Sequence, residues 1–328
     1  MACTGLRKTA LMALGVVLAG LGAATYFYQR DIQQARDRVS RGSWIAHTAC
    51  GPIEYGTAGD GPPVVVVHGA GGGFDQGLDF SGPLVGSGFR IIAMSRFGYL
   101  RTPLPEDASP AAQADAHACL LDTLGIERVA IIGASAGAPS SLQFTLRHPG
   151  RITALVLLVP ATYVPRPDGA PPVRKPPGLQ FLLDTALRSD FLFWTASRLA
   201  RDTVIETLLA TPPIVVRNAD PDEQARVQQM LDHIPPVSQR RLGLLNEAGV
   251  MPSLPRYDLE RIRVPTLAIS VADDGFGTYD AARYTAGHIP GARFVGYPSG
   301  GHLWVGHQQE VTSEIVQFLK ESMTSRLD

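Results

Sequence analysis

Val129-Ala130-Ile131-Ile132-Gly133-Ala134-Ser135-Ala136-Gly137 is the stretch whose reading decides the fold. Its apolar start reads as a buried strand, and residues 140–148 continue as a helix with Leu142 and Leu146 four apart on one face. A serine at so sharp a strand-to-helix turn takes a strained backbone conformation. The positions two before and two after it must be tiny for strand and helix to approach. Gly133 and Gly137 meet that need. A glycine-rich surface loop is the bland alternative, and the rest of the chain decides between the two.

Upstream, Val64-Val65-Val66-Val67 reads as a central strand and runs into His68-Gly69-Ala70-Gly71-Gly72-Gly73. Glycines after a strand let backbone N–H groups face a bound oxygen, and such groups can hold the oxyanion of a tetrahedral intermediate. The amides of Ala70 and Ala136 are assigned to that hole, Ala136 because it follows the serine. A phosphate-cradling loop is the competing reading. It lacks the Lys-Ser/Thr of a P-loop, and its spacing does not fit the dinucleotide fingerprint.

Downstream, the apolar segment 264–271 ends in Asp273-Asp274, and the segment 289–294 leads to Ser299-Gly300-Gly301-His302. Short apolar strands that end in polar groups place an acid and a histidine at the carboxyl edge of a parallel sheet, where ligands sit in open α/β folds.

The serine turn, the His-Gly-x-Gly loop, Arg96-Phe97-Gly98-Tyr99, the Asp-Asp strand end and Gly-Gly-His together resemble the α/β-hydrolase superfamily, in its serine-nucleophile, lid-bearing branch. The resemblance spans residues 43–320. It implies a mostly parallel eight-stranded sheet flanked by helices, with a helical cap inserted between strands 6 and 7. It makes Ser135 the nucleophile, His302 the general base and then acid, and Asp274 the carboxylate that orients the imidazole, with Asp273 as the rival acid and Asp280 as a remoter one.

The sequence departs from the family pattern at Ala138-Pro139 after the turn, at Ser95 where an aspartate is usual, and at Leu100 where a glycine is usual. These changes alter the loop beside the site and leave the subfamily open. A serine nucleophile, in place of the aspartate of related dehalogenases and epoxide hydrolases, favours acyl chemistry. Carboxylester or thioester hydrolysis leads. Carbon–carbon bond hydrolysis, acyl transfer, cofactor-free perhydrolysis and a catalytically silent ligand-binding protein are the alternatives.

With 328 residues, 45% hydrophobic and 18% charged, the chain is long enough for one large α/β domain with an insertion. A net charge of −1 without a basic stripe gives no sign of a nucleic-acid partner, and no zinc-type Cys/His spacing appears. No cofactor or metal is expected. The boundaries read as residues 1–30 for a membrane anchor or signal, 31–42 for a polar helical spacer, 43–159 with 264–328 for the core, and 160–263 for the cap.

Residues 10–28 carry no charge and follow Arg7 and Lys8. At about 1.5 Å per helical residue such a run approaches the roughly 30 Å of a hydrocarbon core. Tyr26, Phe27 and Tyr28 at its end suit an interfacial anchor. The expectation is a single-pass anchor in the lipid bilayer. A signal peptide cleaved near Gly22-Ala23-Ala24, giving a secreted enzyme, is the alternative. The side is open, since Arg7 and Lys8 compete with Arg30, Arg36, Arg38 and Arg41 for the cytoplasm. Cys50 and Cys119 read as a disulfide or as two buried thiols, the second being commoner for isolated cysteines.

Residues 43–46 and 53–55 read as antiparallel edge strands, followed by alternating strands and helices. The insertion begins with a proline-rich stretch from Pro160 to Pro177 and continues with helical periodicity over 179–200, 222–234 and 237–248. Its Phe181, Phe191, Phe193 and Trp194 are candidates to line a pocket for a moderately apolar small-molecule acyl substrate; packing within the lid is their competing role. His68 is expected to orient the oxyanion loop, and His307 to be surface or to support the site. His47, His117, His148, His233 and His288 belong to no motif.

Overall fold

The apolar runs join one eight-stranded sheet in the computed structural model, which describes residues 2–165 and 184–324; the strand expected over 289–294 is shifted to Arg293–Tyr297, because Ile289 ends the preceding helix. The strands are β1 (Trp44–Thr48), β2 (Gly51–Ala58), β3 (Pro63–Val67), β4 (Arg90–Met94), β5 (Val129–Ala134), β6 (Ile152–Leu158), β7 (Thr266–Val271) and β8 (Arg293–Tyr297). Their spatial order is β1-β2-β4-β3-β5-β6-β7-β8. β2 pairs antiparallel with β1 and β4, and all other pairings are parallel.

Helices cover both faces, and the two-residue period of a strand assigns side chains between them. Val65, Val67, Ile92, Met94 and Ile131 pack with α3 (Pro110–Thr123), α4 (Ala138–Arg147) and α10 (Thr278–His288). Val64, Val66, Ile91, Ala93 and Ile132 pack with α2 (Phe74–Gly86) and α11 (Gln308–Thr324). Burying both faces is why these strands read as unbroken apolar runs instead of alternating ones.

Between β6 and β7 lie α5 (Asp190–Leu199), α6 (Arg201–Leu208), α7 (Pro213–Asn218), α8 (Pro221–Asp232) and α9 (Arg241–Val250). Their own core joins Val204, Ile205, Val216, Val227 and Leu231 to Leu303 and Val305. The insertion is bonded to loops at the carboxyl edge of the sheet: Gly243 N–H donates to Gly98 O at 2.9 Å, and Leu100 N–H to Gln239 O at 2.8 Å. Phe181 and the prolines of 167–177 lie outside the described residues.

The N-terminal segment departs from the expected anchor-plus-spacer division. α1 (Ala2–Arg41) is one unbroken helix, and its second half packs on the domain. Ile32, Ala35 and Val39, on one helical face, are buried. Arg38 pairs with Asp75 and donates to His233 O and Pro235 O. Asp31 Oδ2 accepts from Trp194 Nε1 at 2.9 Å and pairs with Arg198. Tyr28 meets Phe191 and Trp194 edge-on, with ring centroids 5.1 and 5.8 Å apart. These partners lie far off in sequence, so the polar residues of 31–42 resemble a solvated spacer until the chain is folded.

Cys50 and Cys119 also differ from the commoner expectation. They form a disulfide that ties the β1–β2 turn to α3, across 69 positions of sequence, with Cα atoms 5.9 Å apart. A crosslink closing so long a loop stabilises by about 2–4 kcal/mol, chiefly by restricting the unfolded chain. Cys50→Ser is therefore expected to lower the melting temperature clearly, and a reductant to do the same to the wild type but not to the variant. Equal melting with and without reductant would show the crosslink to be without consequence.

Candidate active site

Ser135 closes β5 with φ at 48°, in the left-handed region that side chains other than glycine adopt at a cost. The glycines flanking it are required by contact. A Cβ on Gly133 would stand 2.6 Å from Ser141 Oγ, and one on Gly137 would stand 2.4 Å from Val67 O. The turn therefore pushes Ser135 out of the sheet edge, half-buried, while strand and helix close beneath it.

The glycine-rich loop after β3 is fixed one amide at a time. Gly69 N–H donates to Gln76 Oε1 at 2.9 Å, Gly71 N–H to Tyr99 Oη at 3.4 Å, and Gly72 N–H to Gly69 O at 3.3 Å. Among the described residues no protein acceptor takes the Ala70 or the Ala136 amide. Those are the two donors assigned from sequence, left available for a ligand oxygen.

His68 lies beneath this loop. Its Nδ1 bonds Gly69 O at 2.7 Å, and its Nε2 accepts from Arg96 N–H at 3.0 Å. Complete burial, with Arg96 close by, pushes its pKa well below the usual imidazole value. A neutral ring with the proton on Nδ1 satisfies both bonds, so His68 holds the loop and is not a free base.

Arg96 is the tie that the sequence did not disclose. Its guanidinium donates to Ala136 O at 3.2 Å and to Gly69 O at 3.0 Å, joining the serine turn to the glycine-rich loop after β3. Its charge is balanced by buried Glu247 of α9. Burial raises the pKa of Glu247, and the attraction of Arg96 with the Tyr99 hydrogen bond offsets part of that. The motif Arg96-Phe97-Gly98-Tyr99 carried the family resemblance. Nothing in it pointed to a glutamate 151 positions away.

A second buried pair stands beside the loop, where Arg240 donates to Asp75 at 3.1 and 2.7 Å. Burial raises the Asp75 carboxyl, but Arg240 and Arg38 outweigh it and hold the pKa well below the usual range.

After β7 the two aspartates have separate tasks. Asp274 Oδ2 lies 2.8 Å from His302 Nδ1 and accepts from the Thr278 hydroxyl, while Oδ1 accepts Phe276 N–H at 2.8 Å. Burial pushes the Asp274 pKa up, yet the bonds from His302, Thr278 and Phe276 carry it below the ordinary carboxylate value. Asp273 accepts Gly301 N–H at 2.7 Å and so braces the histidine loop. Asp280 is exposed and pairs with Arg283.

His302 is anchored from the insertion as well. Ala210, at a left-handed φ of 43°, offers its carbonyl to His302 N–H at 3.3 Å and to Gly275 N–H at 3.0 Å. The Phe276 ring stands edge-on to the imidazole, centroids 4.8 Å apart. Among the described residues no hydrogen bond joins Ser135 Oγ to His302. Such bonds often tighten only around a substrate.

Of the lid aromatics proposed to line a pocket, Phe191 and Trp194 pack on Tyr28, and Phe193 joins the internal core of the insertion. His307 stacks on Tyr297, and His117 is buried between Met94 and Ser140. Among the described residues no cluster of His, Cys, Asp or Glu has an arrangement that would hold a metal ion.

The sheet order, the serine turn and the polar groups at the carboxyl ends of β3, β5, β7 and β8 define an α/β-hydrolase architecture. The family model described as alpha/beta hydrolase fold matches residues 62–216. A solved structure, an alpha/beta hydrolase fold protein from Nakamurella multipartita, is 27% identical, with a TM-score of 0.69 over 84% of this chain and 98% of its own. A 2-hydroxy-6-oxononadienedioate/2-hydroxy-6-oxononatrienedioate hydrolase of Pseudomonas putida is 28% identical over 82% of this chain and 91% of its own. An enol-lactonase from Burkholderia xenovorans LB400 shares the fold with a TM-score of 0.63 at 21% identity, over 84% of this chain and all of its own. The chain has the α/β-hydrolase fold, resembles hydrolases of that superfamily over most of its length and is an enzyme of that fold.

Proposed function

We propose that the protein is a membrane-anchored serine hydrolase that cleaves an ester-type acyl bond through an acyl-enzyme. The observation that carries this reading is the Asp274–His302 hydrogen bond of 2.8 Å at the same sheet edge as a serine held at φ 48°. With Nδ1 engaged by Asp274, Nε2 of His302 is the nitrogen left to take the Ser135 proton as Oγ attacks the carbonyl carbon. The oxyanion forms against Ala70 N–H and Ala136 N–H. The imidazolium then protonates the departing alcohol. Water, deprotonated by His302, attacks the acyl-enzyme, releases the acid and restores Ser135.

Helices α5–α9 act as the lid. The buried arginines beside the loop are committed, Arg96 to Glu247 and Arg240 to Asp75, which favours a neutral and moderately apolar substrate over a dicarboxylate. Carbon–carbon hydrolysis is the second reading, supported by the Pseudomonas putida relative, whose name gives a dienedioate substrate. A p-nitrophenyl ester series run beside a 2-hydroxy-6-oxo-dienoate tests both. Higher kcat/KM on the esters is expected. Rapid cleavage of the dienoate with negligible ester turnover would replace the first reading by the second.

The exposed apolar half of α1 supports a bilayer anchor, with release after signal cleavage as the alternative. The disulfide supports a catalytic domain on the oxidising, non-cytoplasmic side.

A further inference from the structure

We infer that α5 is a second membrane contact, which seats the insertion on the surface of the bilayer that the apolar half of α1 enters. The inference rests on the anchor reading and adds a surface to it. The depth of the domain is set by α1, since the helix runs without a break from the apolar segment into its docked half. Its apolar run ends at Tyr28, and Arg30 and Asp31 are the first charges beyond it. The membrane–water interface therefore falls at residues 26–31, the level at which Tyr28 meets Phe191 and Trp194 of α5.

The level of α5 follows from its contacts with α1. Asp190, at its start, lies by Arg36, whereas Arg198, near its end, lies by Asp31. Phe191 near the start of α5 meets Tyr28 and Arg198 near its end pairs with Asp31, so the helix crosses α1 with both of its ends close to the level of residues 28–31. Leu199 at the carboxyl end is 83% exposed, and Leu192, seven residues earlier on the same stripe, is 53% exposed. Phe191, beside them, is 44% exposed even with Tyr28 against it.

The surroundings suit a headgroup layer. Tyr26 and Phe27 form one ring pair and Tyr28, Phe191 and Trp194 a second ring cluster at neighbouring positions, the composition of an interfacial belt. The guanidinium of Arg30 lies over the Phe27 ring and that of Arg198 over the Trp194 ring, 5.2 and 5.3 Å from the centroids, which puts positive charge at the level where lipid phosphates would be. The occupant this surface fits is a lipid bilayer. Because α5 belongs to the lid, an apolar ester dissolved in that bilayer would meet the lid first.

The test places an environment-sensitive fluorophore on single cysteines in the full chain, with Cys3→Ser to remove the remaining free thiol, in phosphatidylcholine–phosphatidylglycerol vesicles. Positions are Leu199→Cys on α5, Val17→Cys in the apolar half of α1, and Glu321→Cys on α11. Quenchers are lipids with a spin label at shallow or deep acyl positions. The expected result is shallow quenching at 199, deep quenching at 17 and none at 321. Quenching at 17 with none at 199 would overturn the second contact and leave the anchor standing. No quenching at either would remove both.

Discussion

Ser135→Ala is expected to abolish ester turnover, lowering kcat by about 10⁵- to 10⁶-fold while leaving the fold intact. The size follows from the division of labour at the site. Without Oγ no acyl-enzyme can form, and the Ala70 and Ala136 amides can assist only direct attack by water. The substitution removes one oxygen from a half-buried position and leaves Gly133 and Gly137 in their close contacts, so melting temperature should change little. It even relieves no strain, because alanine at φ 48° bears the same left-handed backbone. Initial rates on p-nitrophenyl esters beside a melting curve check both halves. Residual turnover within tenfold of wild type would remove Ser135 from the mechanism.

The second large effect separates two neighbouring carboxylates. Asp274→Asn is expected to lower kcat by about 10⁴-fold, because an amide at this place favours the wrong imidazole tautomer and cannot stabilise the imidazolium. Asp273→Asn should cost far less. Its amide oxygen can still accept Gly301 N–H, the bond through which the side chain braces the histidine loop. Parallel kinetics on the two variants give the comparison directly. Losses of equal size, or a larger loss at 273, would contradict the assignment of Asp274 as the orienting acid.

The sheet was legible from local pattern, because strands buried on both faces leave unbroken apolar runs such as 64–67 and 129–132, each ended by a residue type with a fixed geometric meaning. Gly133 and Gly137 were legible for the same reason: each stands where a Cβ would strike a neighbour. The choice of Asp274 over Asp273 came from the family resemblance and not from local pattern, since adjacent residues on a strand end differ only in the direction each side chain takes.

Contacts that depend on distant partners were also out of reach. Arg96 reads as part of a loop motif, and its pairing with Glu247 arises only when α9 lies over the sheet edge. Asp31 and Arg38 look solvated in sequence, while their partners Trp194, Arg198 and Asp75 come from other parts of the chain. The pairing of Cys50 with Cys119 likewise needs the β1–β2 turn to stand against α3. Phe191 and Trp194 read as pocket candidates or as packing within the lid; their place against Tyr28 follows from docking of α1, which helical periodicity does not encode.

The central claim, that Ser135 is a nucleophile activated by His302, is tested most directly by covalent labelling of the intact chain with a fluorophosphonate, followed by mass spectrometry of its peptides. The account predicts one adduct, on Ser135, lost in Ser135→Ala and strongly slowed in His302→Ala. An adduct on another residue, or none on an enzyme that still turns over its substrate, would contradict it.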